Sequence, residues 1–158
     1  MNINKARIED SSEIYTLISL KSDFDRSMGG FDGKISTSVE KIKHTLFGTL
    51  PYAHAFIAKE GDHALGFVLY HFRYSSFSGK PSIWLDDIYI IDNARSKGIG
   101  ANLMAHLMLD AKDHDCSHIS WTASPNNVRG MRFYENLGAS IERMEGARPI
   151  YRLNVVHA

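Results

Sequence analysis

The segment over residues 83–111 constrains the fold most, because its residue pattern changes twice along its length. The apolar, β-branched run over residues 83–91, with two aspartates in it, predicts a buried strand. The polar stretch over residues 92–97 is typical of a turn. From Ile99 onwards an apolar residue recurs at every fourth position, which is the spacing of one helix face. The segment therefore predicts a strand, a glycine turn and a helix.

The predicted start of this helix has the chemistry of an anion site. The first backbone N–H groups of a helix lack partners within it, and they lie at the positive end of its dipole. Gly98 and Gly100 leave room for phosphate oxygens, and Arg95 and Lys97 add positive charge. Leu103 stands where a dinucleotide-binding fingerprint needs a third glycine, and the Gly-Lys-Ser/Thr ending of an ATP-binding loop is absent. The turn predicts a phosphate site of another kind, with an ordinary tight turn as the alternative.

Two motifs resemble those of the GNAT N-acetyltransferase superfamily. The pattern Arg95-x-x-Gly98-x-Gly100, after an acid-bearing strand, resembles its acyl-CoA signature. Residues 127–139 are similar to its second motif, in which an asparagine precedes a tyrosine by seven positions and Leu-Gly-Ala follows. The central hairpin, over residues 66–74 and 85–90, is similar to the diamine (spermidine/spermine) acetyltransferase branch. The chain is thus identified as a member of the superfamily.

The resemblance implies an acetyl-CoA-dependent N-acetyltransferase that works by direct transfer in a ternary complex. Its substrate would be a small primary amine, either a diamine or polyamine or a thialysine-like amine. A homodimer is implied as well. The alternatives are an enzyme for another small amine or a protein N-terminus, a non-catalytic acyl-CoA-binding sensor, and a nucleotide-binding protein. An acid and a tyrosine at the expected catalytic positions argue against the sensor.

The resemblance also implies where acetyl-CoA binds. Its pyrophosphate is expected on the backbone of residues 96–101, and its pantetheine arm along the acid-bearing strand, in a gap that opens at a bulge. Seven positions span close to two helical turns, so Asn127 and Tyr134 are expected on one helix face. No metal is expected. The residues expected to bind acetyl-CoA are Ile88, Tyr89, Ile90, Arg95, Ser96, Lys97, Gly98, Ile99, Gly100, Ala101, Asn127 and Tyr134.

Acetyl transfer to an amine needs a base for the amine and a proton for the leaving thiolate. We expect Tyr134 to protonate the thiolate, and the alternative is a core aromatic. Asp86 stands where the diamine branch carries a glutamate, and we expect it to act as the base through a water molecule. An acid buried in an apolar strand has a raised pKa, which suits a base near neutrality. Asp87 is expected on the opposite face, as a partner of a polyamine nitrogen or as a structural acid.

The amine site is expected in two loops and the central strand. Residues 22–34 are predicted to form a flexible loop, and in the diamine branch the equivalent loop supplies acids and aromatics. A mobile surface loop is the alternative. Phe77 lies in a second predicted loop. Acids would supply counter-charges for an alkylammonium group, and aromatic rings would supply walls. The residues expected to bind the amine are Asp23, Phe24, Asp25, Phe77, Trp84, Asp86 and Asp87.

Composition sets the class of protein. The 158 residues suit a single domain over residues 1–158, and 18 basic residues balance 18 acidic ones. This balance gives no bulk field for a nucleic acid or an anionic membrane, so neither partner is expected. No apolar run is long enough for a membrane span and no signal peptide opens the chain, which predicts a cytoplasmic protein. Cys116 is the only cysteine, so no disulfide can form within the chain.

Strands and helices alternate along the predicted chain, and a long hairpin lies in its middle. This pattern predicts an α/β (mixed α+β) fold in which helices cover both faces of a mixed sheet. It agrees with the GNAT fold that the resemblance implies, which is a mostly antiparallel sheet of six to seven strands flanked by about four helices.

Overall fold

Seven strands and four helices alternate along the computed structural model, which describes residues 1–157. Two short 3-10 turns, Ile8–Asp10 and Asp92–Ala94, precede the first and third helices. The elements are β1 (Asn2–Lys5), α1 (Ser11–Ser27), α2 (Val39–Phe47), β2 (His54–Glu60), β3 (His63–Ser75), β4 (Lys80–Ile90), α3 (Ile99–Asp113), β5 (His118–Thr122), α4 (Val128–Asn136), β6 (Ser140–Glu145) and β7 (Arg148–Asn154).

The strands form one sheet in the order β1-β2-β3-β4-β5-β7-β6. All neighbouring strands are antiparallel except β4 and β5, which are parallel. The connection between those two parallel strands is α3, as expected for a crossover. The predicted mixed, mostly antiparallel sheet with four helices is confirmed.

Helices cover both faces of this sheet, each with its own apolar core. On one face α1 and α2 bury Ile14, Leu17 and Ile42 against Phe67 of β3. On the other face the apolar side of α3 packs on the sheet, so the predicted four-residue spacing of that helix is confirmed. Burial on two faces explains why the middle strands are apolar along most of their length.

The first helix is longer than the sequence analysis expected. Residues 22–34 were predicted to be a loop, but residues 22–27 continue α1, so that prediction is wrong over this part. Two ion pairs at helical spacing, Lys21–Asp25 and Asp23–Arg26, join neighbouring turns of this polar helix end. The helix ends before Gly29, which adopts a φ of 73°. Asp23, Phe24 and Asp25, which were expected in a flexible loop, thus lie on a regular helix.

The β4–β5 pair separates after a short contact. The recorded pairs are Ile83 with Ile119 and Trp84 with Ser120, and beyond them β4 pairs with β3 alone among the described residues. A bulge lies at the same place, because Leu69 is opposite Asp87 while Tyr70 is opposite Leu85, which leaves Asp86 without an opposite residue. The later half of β4 therefore presents free backbone groups to a slot between β4 and β5.

Gly66 of β3 lets β4 approach on the edge opposite the slot, which gives a stability prediction. A Cβ at Gly66 would lie 2.6 Å from Ile90 Cδ1 and 2.7 Å from the Tyr89 carbonyl oxygen. A paired strand cannot retreat freely, so we expect Gly66→Ala to lower the free energy of unfolding by about 1–3 kcal/mol. Thermal unfolding would measure it. Gly30→Ala is the control, because its Cβ would make only ordinary contacts, at 3.4 Å from Arg148 Nη1 and 3.6 Å from the Asp25 carbonyl oxygen. Equal losses in both variants would contradict the prediction.

Candidate active site

The turn between β4 and α3 has the backbone shape predicted for an anion site. Ser96 and Gly98 adopt φ values of 65° and 80°, and α3 begins at Ile99 as predicted. No atom lies within 4 Å of the place where a Cβ of Gly98 would be. The turn therefore has open space beside the start of α3, which leaves room for a phosphate group at the first backbone donors of that helix.

Two cations flank this turn, and the sequence analysis identified only one of them. Lys97 is exposed in the turn, as expected. Arg129, in the first turn of α4, donates from Nη2 to Ser96 Oγ at 2.6 Å. Arg129 follows Asn127 by two positions in the second motif, so a closer reading of that motif would have included it. Both cations can neutralise a phosphate held on the backbone of the turn.

Arg95 was expected to add positive charge at the phosphate site, but its guanidinium makes contacts that hold the turn together. Its Nε donates to the Ile90 carbonyl oxygen at 2.9 Å, and its Nη1 lies 2.7 Å from an Asp92 carboxyl oxygen. The same group lies over the rings of Phe24 and Tyr89, at 5.3 Å from each centroid. Arg95 thus joins β4, the turn and α1, and shares its charge with Asp92.

Close packing fixes α4 beside this turn. A Cβ on Gly100 would lie 3.1 Å from Phe133 Cζ, so Gly100 lets α3 and α4 come together. Asn127 precedes α4 as its N-cap, and its Oδ1 accepts from the Gly130 backbone at 3.0 Å. The side-chain oxygen of Asn127 is therefore used by the helix, which leaves its amide nitrogen to contact a ligand.

Tyr134 of α4 is 8% exposed and packs among other aromatic rings. Its ring centroid lies 5.3 Å from Trp121 and 5.2 Å from Tyr151. Burial raises the pKa of its hydroxyl to about 12, with Asp25 and Tyr151 acting in the same direction. A phenol with such a pKa keeps its proton at neutral pH and is able to donate it.

The structure overturns the expected burial of Asp86. The bulge makes Asp86 an exposed residue, and Asp87 is the acid removed from water, with 19% of its side chain exposed. Burial raises the pKa of Asp87 to about 6; Lys21 acts to lower it, while Asp86 and Asp25 raise it. The strand alternation that predicted opposite faces for the two acids is broken here by the extra residue. The property expected of the base therefore belongs to Asp87.

Lys21 of α1 meets this buried acid. Its Nζ lies 2.6 Å from Asp25 Oδ2 and 3.6 Å from Asp87 Oδ1, and 19% of its side chain is exposed. We call Lys21, Asp25 and Asp87 the acceptor cluster. The sequence analysis missed Lys21, because its pairing with β4 depends on helix packing; the four-residue spacing to Asp25 was the only local signal.

Two cavities flank the site on the β3 side of β4, away from the slot. One, of about 680 Å³, lies between α1 and the β2–β3 turn and reaches Tyr89 and Asn93. The other, of about 470 Å³, lies under the turn and includes Lys97 and Ile99. Since no residue of β5 lines either cavity, neither is the slot itself.

Comparison with known proteins decides the family. A family model described as the Acetyltransferase (GNAT) family matches residues 20–139. The chain belongs to this family. As a GNAT enzyme it transfers acetyl groups, and the acyl donor of the family is acetyl-CoA. The slot, the open turn and its two cations fit such a donor.

Curated relatives of this GNAT enzyme carry the names of amine acetyltransferases. Thialysine N-epsilon-acetyltransferase of Bos taurus is 28% identical over 87% of this chain and 82% of its own length. L-ornithine N5-acetyltransferase NATA1 of Arabidopsis thaliana is 32% identical over 48% of this chain and 33% of its own length. A human spermidine/spermine N(1)-acetyltransferase-like protein is 27% identical over 68% of this chain and 16% of its own length. The general activity, N-acetylation of an amine, agrees with all three names.

Solved structures share the fold of this GNAT enzyme. The PaiA N-acetyltransferase of Thermoplasma acidophilum, solved in complex with coenzyme A, superposes with a TM-score of 0.71 at 17% identity. The match covers 98% of this chain and 99% of that one. A ribosomal-protein-alanine N-acetyltransferase of Brucella melitensis has a TM-score of 0.73 at 20% identity, over 92% of this chain and 97% of that one. The predicted GNAT fold is confirmed.

Two residues predicted for the amine site lie on α1, one within the acceptor cluster of this GNAT enzyme and one next to a member of it in sequence. Asp25 belongs to the cluster, and Phe24 packs at 6.2 Å from the Tyr89 ring centroid. Asp23 differs, because its exposed carboxyl pairs with Arg26 on the outer face of the helix. The prediction for Asp23 placed it in a flexible loop, and the helix turns it away from the site.

Of two aromatic residues predicted for the amine site, one lies far from the acceptor cluster and the other is covered by an arginine. Phe77 is fully exposed at the tip of the β3–β4 hairpin, where Ser75 is opposite Lys80, far along the hairpin from Asp87. Trp84 is half-buried, and the Arg73 guanidinium covers its ring at 3.9 Å.

The position of Phe77 gives a testable prediction. We expect Phe77→Ala to leave kcat and the amine KM of this GNAT enzyme unchanged, because its side chain touches no part of the acceptor cluster. Phe24→Ala is the comparison, and we expect it to raise the amine KM because Phe24 lies against Tyr89 and Arg95. Steady-state kinetics would measure both. A raised KM in Phe77→Ala would return this residue to the amine site.

Among the described residues, no group of three His, Cys, Asp or Glu side chains could hold a metal ion, and no helix is long and apolar enough to cross a bilayer. Cys116 is buried behind α3, and burial raises the pKa of its thiol to about 11. A thiol with that pKa is mostly protonated at neutral pH and is a poor nucleophile.

Proposed function

We propose that this chain acetylates a small primary amine, of the diamine, polyamine or thialysine type, by direct transfer from acetyl-CoA within a ternary complex. One observation carries the proposal: the acceptor cluster already holds an ammonium group, that of Lys21, beside a partly buried carboxyl, that of Asp87, with a pKa raised to about 6. An external ammonium group has the same chemistry. The names of the relatives, for thialysine, ornithine and spermidine/spermine, support an acceptor of this kind.

The donor would be held by two parts of the chain. Backbone donors of residues 96–101, with Lys97 and Arg129, would bind the pyrophosphate. The free edge of β4 from Ile88 to Ile90 would pair with the pantetheine amides, beside the amide nitrogen of Asn127. Acetyl-CoA supplies an acyl group activated as a thioester. Arg95 would keep the turn in shape rather than contact the phosphate directly.

Protons would move at three side chains. Asp87 would accept a proton from the amine, because burial has raised its pKa toward neutrality. Asp86, exposed at the bulge, would attract the incoming ammonium and relay the proton from Asp87 to water. Tyr134 would donate a proton to the leaving thiolate. We therefore transfer the role of base from Asp86, the residue that the sequence favoured, to its neighbour.

Direct transfer has a kinetic test. We expect initial-velocity lines that intersect when acetyl-CoA and the amine are varied together, because both substrates must be bound at once. The protonated state of the Cys116 thiol supports this order of events over an acyl-enzyme. Parallel lines, together with an acetylated protein that forms before amine is added and passes its acetyl group on, would contradict direct transfer.

Two further features remain predictions, the first from the superfamily resemblance and the second from the sequence pattern. We propose a homodimer, which sedimentation or light scattering would test. We also propose a cytoplasmic location, which fractionation of the source cell would test. Neither is needed for the chemistry of the acceptor cluster.

A further inference from the structure

The acceptor cluster contains a primary amine that belongs to the chain itself. Lys21 Nζ lies 3.6 Å from Asp87 Oδ1, the oxygen that we propose as the proton acceptor for external amines. It lies 2.6 Å from Asp25 Oδ2, and Asp25 is also one of the charges acting on the Tyr134 hydroxyl. The proposed base and a lysine amine are therefore neighbours across β4 and α1.

Lys21 is held there by the fold. It lies one helical turn after Leu17, which is 2% exposed in the core between α1 and the sheet. The far end of α1 is tied to the β5–α4 loop, because Ser124 Oγ and Asn126 Nδ2 both donate to the Met28 carbonyl oxygen, at 3.3 and 2.9 Å. The helix is thus anchored on either side of Lys21, which holds Lys21 close to Asp87.

Surface lysines of the chain have different surroundings. Lys43 of α2 pairs with the exposed Glu40, and Lys80 pairs with the exposed Asp115 at the hairpin end of β4. Lys59 and Lys5 do lie beside buried carboxyls, those of Asp10 and Asp110, but neither acid belongs to the acceptor cluster. Of Lys21, Lys43 and Lys80, only Lys21 lies beside the acid that we propose as the base.

We propose that Lys21 is an acetyl acceptor of this enzyme, modified within its own polypeptide by the donor bound in the β4–β5 slot; the proposal rests on the proposed function. In this step the Lys21 ammonium group first gives one proton to Asp87, which passes it to water. The neutral Nζ then forms an amide bond with the acetyl carbonyl carbon and gives its second proton to Asp87. The carbon–sulfur bond of the thioester breaks, and Tyr134 protonates the sulfur. The products are Nε-acetyl-Lys21 and coenzyme A; water then takes the proton from Asp87 and reprotonates Tyr134.

This chemistry makes Lys21 a competitor of the amine substrate. An external ammonium group that occupies the acceptor cluster must displace Lys21 from Asp87. A saturating amine is therefore expected to slow the modification. Once acetylated, Lys21 no longer carries the positive charge that pairs with Asp25 and Asp87. The net charge of the cluster therefore becomes more negative.

The test compares acetylation of the Lys21 and Lys43 peptides by mass spectrometry. The purified protein is incubated with acetyl-CoA and no amine, and acetylation of the Lys21 peptide is followed over time. The Lys43 peptide measures uncatalysed acetylation at an exposed lysine in the same sample. We expect Lys21 to be modified at least tenfold faster than Lys43, and Asp87→Asn to slow Lys21 about a hundredfold while leaving Lys43 unchanged. Lys21→Arg, which stays protonated, should show no acetylation at this position.

A protein dilution series and an amine control separate the outcomes. A Lys21 rate that is independent of protein concentration supports transfer within one polypeptide, whereas a rate proportional to concentration overturns it. If the same preparation acetylates an added amine but modifies Lys21 no faster than Lys43, the inference is wrong and the proposed function stands. If neither an amine nor Lys21 is acetylated although coenzyme A binds, the proposed function fails and the inference fails with it.

Discussion

Tyr134→Phe is expected to lower kcat about a hundredfold while leaving coenzyme A binding unchanged, which is the effect of removing a general acid from a site that keeps its shape. The variant retains the ring that packs against Trp121 and Tyr151 and loses only the hydroxyl. Without that proton the leaving thiolate must depart unprotonated, so the chemical step slows. Thiol release would give kcat, and calorimetric titration would give the dissociation constant of coenzyme A.

The matched control for this variant is Tyr151→Phe. Tyr151 is a buried tyrosine beside Tyr134, and its hydroxyl has no hydrogen-bond partner among the described residues. Removing that hydroxyl costs little, because no bond is broken. We expect a small change in kcat for Tyr151→Phe. Equal activity in Tyr134→Phe and the wild type would instead make Tyr134 a core aromatic.

Asp87→Asn is expected to lower kcat/KM about a hundredfold and to remove the acid limb of the pH profile. Only the carboxylate form of Asp87 accepts a proton. Since burial raises its pKa to about 6, kcat/KM of the wild type should rise as pH increases through about 6. The amide of the variant does not titrate there, so its profile should be flat across this range.

Asp86→Asn distinguishes the two acids. Asp86 is exposed at the bulge, and we expect its loss to raise the amine KM more than it lowers kcat, with the rise of kcat/KM through about pH 6 retained. The measurement is the same pH series on both variants. If Asp86→Asn loses the acid limb and Asp87→Asn keeps it, the base is Asp86, as the sequence alone suggested.

The sequence predicts those parts of the fold that depend on local pattern. The strand, the turn and the helix that starts at Ile99 follow from residue spacing and turn chemistry within one segment, and the structure confirms them. The order of strands and helices agrees for the same reason. Both motifs that resemble the GNAT superfamily fall on the two segments that form the turn and α4.

The details of the site depend on contacts that the sequence does not contain. The bulge at Asp86 is set by the register between β3 and β4. Because of this bulge Asp86 is exposed, although it was expected to be buried, and its neighbour Asp87 is the less exposed acid. Lys21 meets Asp87 because α1 packs on that face of the sheet. The prediction of a loop after Lys21 failed because pairs one helical turn apart, such as Lys21 with Asp25, continue the helix.

Thiol release from acetyl-CoA, measured with a panel of thialysine, ornithine, lysine, spermidine, putrescine and a peptide with a free N-terminus, tests the central claim most directly. The acceptor cluster predicts turnover with at least one of the small amines, and none with the peptide. Turnover with the peptide alone would contradict the proposed acceptor. Tight binding of coenzyme A without turnover of any amine would contradict the claim that the chain catalyses acetyl transfer, and would favour an acyl-CoA sensor.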